Sequence, residues 1–379
     1  MRGGCPSPRM NGEQQESSRG PAAFLRALLG RLPWWFWVVF PLAVAIGGMY
    51  GGFPSSDRIS VFQAIIQGLV VGSIYVLGAS GLSLTYGIKK FANFALGDMM
   101  TVGAYMAFTA NVLEGLDILW GFLLAMITVA LLGMFLELAI FRRLEKRGEV
   151  AALIASVGVS LILQNAISAF FFTDVHYLNV VIPQDFEILN TGLTFNVFKG
   201  GLTIGLAIGL MVFLHVLLKY TTLGKAMRAC ADDLDLARTA GISTHNVILW
   251  TWAISGAFAG IAGVLLAIIV NVYPLSGFFI LLFLFASVIV GGIGSPYGAM
   301  AGGFIIGVVE KLSNVLFGEL GKFGLLEGGA AWEPAGAFIV LILVLLIKPD
   351  GLMGRRRAGK RSRWLIARKA PKEVATVGT

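Results

Sequence analysis

Ten apolar runs, each long enough or nearly long enough to cross a bilayer, constrain this chain more than any other feature. A hydrocarbon core ~30 Å thick takes about 20 apolar residues per helix. The runs fall at 34–53, 62–86, 95–112, 119–140, 150–172, 200–218, 247–270, 279–293, 297–318 and 335–347. The stretch from 279 to 318 is too long for one span, and the turn-forming cluster Gly291-Gly292-Ile293-Gly294-Ser295-Pro296-Tyr297-Gly298 divides it. The expected fold is all-α: a polytopic membrane bundle of about ten helices, with eight to ten admissible. Composition agrees, since 57% of the residues are hydrophobic and 13% charged, against about 25% charged in soluble domains.

The basic residues set the orientation. Of the 29 lysines and arginines, 25 fall on the side of the two termini, and three (Arg58, Lys199, Lys322) on the other; Lys311 lies within a span. Positive charge marks the cytoplasmic side, so both termini are expected in the cytoplasm of a multi-pass inner-membrane protein. The net charge of +8 does not point to nucleic acid, because these residues sit in short loops and tails facing membrane lipid headgroups.

Residues 1–33 have the composition of a disordered cytoplasmic tail. Pro33-Trp34-Trp35-Phe36-Trp37 opens the run at 34–53. An uncleaved anchor and a signal peptide compete there; the bulky run and the long polar lead-in favour the anchor. The longest outer loop, 173–199, carries Asp174, Asp185 and Glu187 and reads equally as a docking surface for an external partner or as a solvated loop. Residues 348–379 form a basic cytoplasmic tail.

Catalytic chemistry finds no footing. Cys5 and Cys230 form no framework, and His176, His215 and His245 lie far apart with no metal spacing. No cofactor is implied. Gly-x-x-x-x-Gly-Lys-[Ser/Thr] is absent, so any ATP hydrolysis belongs to another polypeptide.

One internal loop, 219–246, is out of character for a protein that is mostly membrane. Residues 225–241 are rich in alanine and helix formers. Arg228 and Arg238 flank Asp232, Asp233 and Asp235, while Ala226, Ala229, Ala237 and Ala240 leave a smooth surface. Gly241 suits a helix C′ position, with Ile242 placed to pack back. A helix lying on lipid is usually strongly basic; over 225–238 three basic and three acidic residues cancel. Docking to a protein is the better reading.

Residues 228–233 with Gly241-Ile242 resemble the cytoplasmic loop of the LivH-type permeases, membrane subunits of ABC importers for branched-chain amino acids. Four more segments resemble that family in the same order: Gly81–Gly87 with Asn93–Asp98, Ala257–Leu265, Gly291–Ala299 and Lys348–Leu352. The match runs from about residue 62 to 354. The early signature departs from the family's Asn-Phe-Ala-His-Gly-Glu, with Leu96 for the His and Asp98 for the Glu. The span at 34–53 is an addition to the family pattern.

The resemblance implies a permease domain over 62–347 for branched-chain or other small aliphatic amino acids. Urea and short amides lie within reach of related systems. It implies a second related permease subunit, two cytoplasmic ATPases and an external solute-binding protein. The loop residues Arg228, Ala229, Cys230, Asp232, Asp233 and Gly241 would couple to the ATPases. Intramembrane polar groups are functional candidates by default; Asn93, Asp98, Gln164 and Asn165 are the candidates for the translocation path. For Asp98, stabilisation of a helix N-terminus is an equal reading; for Gln164 and Asn165, bonding across helices is.

Glu137 is expected to pair with Arg142 and Arg143, and Glu310 and Lys311 to snorkel. The pairs Gly68/Gly72, Gly256/Gly260, Gly298/Gly302 and Gly303/Gly307 permit close helix contact, in the bundle or between subunits. Two other classes remain as rivals. An ion-driven transporter would carry carboxylates at mid-membrane helix breaks, and a membrane-embedded enzyme would need a catalytic constellation.

Overall fold

The computed structural model describes residues 55–180, 186–188, 193–322, 332–348 and 350–353. The expected tail at 1–33, the span at 34–53, Asp185 and nearly all of the basic tail lie outside these residues.

Helix follows from long runs of Leu, Ala, Ile and Gly without internal proline, whose backbone groups must bond within the segment if lipid surrounds them. The helices are α1 (Ser55–Lys89), α2 (Ala95–Phe108), α3 (Ile118–Leu136), α4 (Glu149–Phe171), α5 (Leu202–Tyr220), α6 (Thr222–Asp232), α7 (Leu234–Thr239), α8 (Thr244–Ile269), α9 (Ser276–Gly291), α10 (Pro296–Lys322) and α11 (Glu333–Ile347). A π-helical turn, Thr109–Leu113, extends α2, and another, Glu137–Phe141, carries α3 on to Leu144. A short antiparallel hairpin, β1 (Phe186–Ile188) with β2 (Leu193–Phe195), pairs Phe186 with Phe195.

Among the described residues, six helical stretches are long and apolar enough to cross a membrane: Ser60–Lys89, Ile118–Leu144, Glu149–Phe171, Val197–Tyr220, Thr244–Ile269 and Pro296–Gly318. Two further apolar helices, α9 and α11, are shorter. The molecule is a helical membrane bundle.

α8 lies at its centre, against α1, α2 and α3, and α10 packs along α1. α9 lies on α10, α1 and α2, whereas α4 packs chiefly on α2, and α5 on α1 and α6. The glycine pairs turn inward. Gly68 and Gly72 of α1 face Gly303, Phe304, Gly307 and Val308 of α10; Gly256 and Gly260 face Val129 and Ala125 of α3; Gly298 and Gly302 face Gly291 and Ser287 of α9. All four expected pairs therefore bring helices of this one chain together.

The glycine cluster at 291–298 is the expected break. Gly292 and Gly294 take φ of 113° and 80°, which only glycine adopts readily. Pro296 then starts α10, where its missing N–H costs nothing. Leu352 and Met353 donate backbone bonds to Val290 and Gly291 at 2.9 Å each, so the segment after α11 docks on this turn.

Candidate functional site: a charged helical hairpin and a buried helix break

The loop between α5 and α8 forms two helices, not the single one expected. Thr221 Oγ1 accepts from the Gly224 amide (3.0 Å) and donates to Leu217 O (2.6 Å), clamping the start of α6 to the end of α5. A Cβ on Gly224 would lie 2.1 Å from Leu217 O, so only glycine allows that approach. α6 ends where Asp233 leaves helical geometry and caps α7: its Oδ1 accepts from the amides of Asp235 and Leu236, both at 3.0 Å. Aspartate is a strong N-cap, so Asp233, expected within a single helix, instead divides it. α7 closes as expected. Gly241 has φ of 82°, its N–H reaches Arg238 O, and Ile242 N–H reaches Ala237 O, both at 3.1 Å. That is a Schellman motif.

The two faces of this hairpin differ. Gly224, Met227 and Cys230 of α6 and Ala237 of α7 are buried against the bundle. Arg228, Asp232, Asp233, Asp235, Leu236, Arg238 and Gly241 are exposed. Of the expected coupling residues, Cys230 thus faces inward, Ala229 is half-buried, and Arg228, Asp232, Asp233 and Gly241 present outward. Burial pushes the Cys230 thiol up from its ordinary range.

Two lysines at the end of α1 hold the hairpin. Lys90, with φ of 60°, donates to Gly87 O (2.5 Å) and to Ala231 O (2.8 Å). One ammonium therefore sits between carbonyls at the C-terminal ends of α1 and α6, where helix dipoles favour a cation. Lys89 pairs with Glu137 (2.6 Å) and Glu145 (3.5 Å), and Glu145 lies 3.8 Å from Arg238 of α7. The Lys89–Glu137 pair is almost wholly buried. Glu137 was expected to pair with Arg142 and Arg143; the π-helical turn at 137–141 and the reach of α1 bring it to Lys89 instead.

Directly after Lys89 the chain stops being helical, inside the bundle. Met99, near the start of α2, already packs on Gly133 of α3. Gly133 lies eleven residues before Leu144, where that span ends, or about 16 Å at the helical rise. A buried break must have its backbone groups satisfied, and α4 supplies them. Ser156 Oγ accepts from Phe94 N (3.1 Å) and lies within reach of Ala92 O (3.4 Å), while Asn93 Oδ1 accepts from Ala95 N (3.1 Å). Phe91 stacks on Phe141 (5.1 Å), which stacks on Trp252 (4.8 Å). One turn further along α4, Ser160 donates to Asp98.

Asn93 and Asp98 are fully buried, and Asn93 Nδ2 and Asp98 Oδ1 have no partner among the described residues. The structure therefore sets both path candidates beside the serine face of α4: Ser156 bonds the backbone on either side of Asn93, and Ser160 bonds Asp98 itself. It does not join the other two to them. Asn165 is exposed and donates to Leu161 O of its own helix (2.7 Å), and Gln164 is half-buried. Sequence reasoning passed over Ser156, Ser160 and Lys90; the Ser-x-x-x-Ser spacing on one helix face was the legible signal.

The acidic group at 310 also departs from expectation. Glu310 is buried, accepts from Tyr75 OH (2.6 Å) and lies 3.6 Å from Lys311, which in turn pairs with Glu333 (2.5 Å). These groups meet where α1, α10 and α11 converge, so they do not snorkel.

The family model described as branched-chain amino acid transport system / permease component matches residues 64–347. The high-affinity branched-chain amino acid transport system permease protein LivH of Salmonella typhimurium is 34% identical over 321 residues, covering 81% of this chain and 99% of that protein. BraD of Pseudomonas aeruginosa is 33% identical, covering 79% and 97%. A probable LivH of Methanocaldococcus jannaschii is 33% identical, covering 77% and 92%. The chain belongs to the family of branched-chain amino acid transport permeases.

Proposed function

We propose that this chain is a membrane-spanning subunit of an ABC importer that moves branched-chain or other small aliphatic amino acids. Both termini lie in the cytoplasm, and the chain pairs with a second, related permease subunit. Two cytoplasmic ATPases bind the α6–α7 hairpin, and an external solute-binding protein delivers substrate at the β1–β2 end.

One observation carries this reading. The outward face of α6–α7 is charged, while the end of α6 is tied at Ala231 O to Lys90, which opens a buried helix break. Closure of the ATPases on Arg228, Asp232 and Asp233 would move the hairpin. Lys90, bonded to Ala231 O, would carry that displacement to residues 91–94, which have no helical ladder to resist it. α2 would then shift against α4 about the Ser156 and Ser160 contacts. Free energy from ATP thus enters at the hairpin and reaches the bundle at the break. Glu137 and Glu310 give the ion-driven alternative little, because each is paired; Asp98, beside the helix break and bonded to Ser160 through one oxygen, is the carboxylate on which that alternative rests.

Purification of the tagged chain from its native membrane tests the assembly. A Walker-motif ATPase is expected to co-purify and to be lost in the double variant Arg228→Glu, Asp233→Lys. Its absence, under conditions that preserve other ABC complexes, contradicts the reading.

A further inference from the structure

At the end of the bundle opposite the coupling hairpin lies a cavity of about 700 Å³, within the size range of small-molecule sites. Its walls are the first half of α1, the end of α8, Lys311 of α10 and the turn after β2. Two features fix it in place. Gln63 of α1 clamps β2: its Nε2 donates to Thr194 O (2.8 Å), and its Oε1 accepts from Thr194 N (3.2 Å). The π-helical turn Val197–Gly201 lies close against α1, since a Cβ on Gly200 would meet Val70 at 3.2 Å and the Phe195 ring at 2.6 Å.

The chemistry of the lining is selective. Ile66, Val70, Val71 and Ile269 give an aliphatic wall. Two cations line the same space, and they differ. Lys311 is already neutralised by Glu310 and Glu333. Lys199 is half-buried, and its ammonium has no partner among the described residues. A cation drawn partly out of water without a counter-ion favours an incoming anion. Gln63 is consumed by Thr194, whereas Gln67, also in the lining, is exposed and makes no side-chain hydrogen bond among the described residues.

We propose that this cavity receives the substrate: a zwitterionic aliphatic amino acid, its carboxylate on Lys199, its ammonium toward Gln67 and its side chain on Val70, Val71 and Ile269. The assignment rests on the importer reading above and adds a site to it. It gives the sparse basic charge at this end a role that orientation in the membrane does not require.

The test is binding of radiolabelled L-leucine to the intact transporter, purified through this chain without its solute-binding protein. Lys199→Met is expected to raise the dissociation constant about tenfold or more, and Lys199→Arg to keep most of the affinity. On the wild-type transporter, which needs no variant to fold, L-leucinamide is expected to compete about tenfold less well than L-leucine, because it lacks the carboxylate. Equal affinity in Lys199→Met, or equal competition by the amide, overturns the assignment. A transporter that imports leucine in liposomes with its solute-binding protein and ATP, yet binds none alone, overturns the cavity and leaves the importer standing. A preparation that imports no aliphatic amino acid overturns the importer reading itself.

Discussion

α8 and α5 are nearly interchangeable as sequences and opposite as structures. Their apolar windows have mean hydropathies of 2.2 and 2.3, yet 89% of the first window is buried and 22% of the second. Both carry glycines at helical spacing. In α8, Gly256, Gly260 and Gly263 are each filled by a neighbouring backbone, closest at Gly263, where a Cβ would lie 1.9 Å from Met100 O. In α5, a Cβ on Gly205 or Gly209 would meet nothing among the described residues within 4 Å. In lipid, apolar character does not drive helices together, and packing of small residues does. Hydropathy therefore locates both helices, and only the shape of the neighbouring surfaces decides which becomes core.

The largest effect should come from breaking the buried member of this pair. Gly263→Leu forces a side chain into the Met100 backbone and is expected to cost about 3 kcal/mol or more, read as loss of folded protein from the membrane. Gly205→Leu places the same side chain in open space and should leave abundance and unfolding temperature near wild type. Equal losses in both would show that α5 is packed as tightly as α8.

Next in size is Lys89→Met, which strands Glu137 in the interior. Removing one partner of a buried pair costs about 3 kcal/mol, so thermal unfolding in detergent should fall clearly. Lys89→Met with Glu137→Gln should recover much of that loss. A single variant as stable as wild type would mean that water reaches the pair.

The smallest effect repeats the comparison within α6. Cys230 on its buried face has a thiol pushed up by burial, and the thiolate is the reactive form. Maleimide labelling of Cys230 at neutral pH should be slow and should quicken in denaturant, while an Arg228→Cys variant should label fast. Rapid labelling of native Cys230 would place α6 away from the bundle.

What the sequence reveals divides along the same line. Apolar run length located α1 to α5 and α8 to α11, because backbone satisfaction in lipid demands them. The break at 291–298, the close-contact role of the glycine pairs and the C′ role of Gly241 were legible for local reasons of φ and side-chain volume, whereas the inward placement of the pairs came from the structure. Partners across the bundle were not. Glu137 has arginines near in sequence, yet it pairs with Lys89 because α1 reaches the end of α3. Asn93 and Asp98 stood out as polar residues in an apolar setting, but the placement of Ser156 and Ser160 beside them depends on the rotation of α4, which no one-dimensional pattern fixes. Asp233 reads as part of a single helix because a cap and a surface acid differ only in backbone geometry. Gln164 and Asn165 had the same signal as Asp98 and face elsewhere.

The measurement closest to the central claim is the ratio of ATP hydrolysed to amino acid imported, taken on the reconstituted transporter carrying Lys90→Met. Lys90 joins the hairpin to the helix break through a single ammonium. With that link removed, hydrolysis should continue while import falls, and the ratio should rise severalfold. A wild-type ratio at wild-type abundance would contradict coupling through this lysine and would detach the hairpin from the break it is proposed to move.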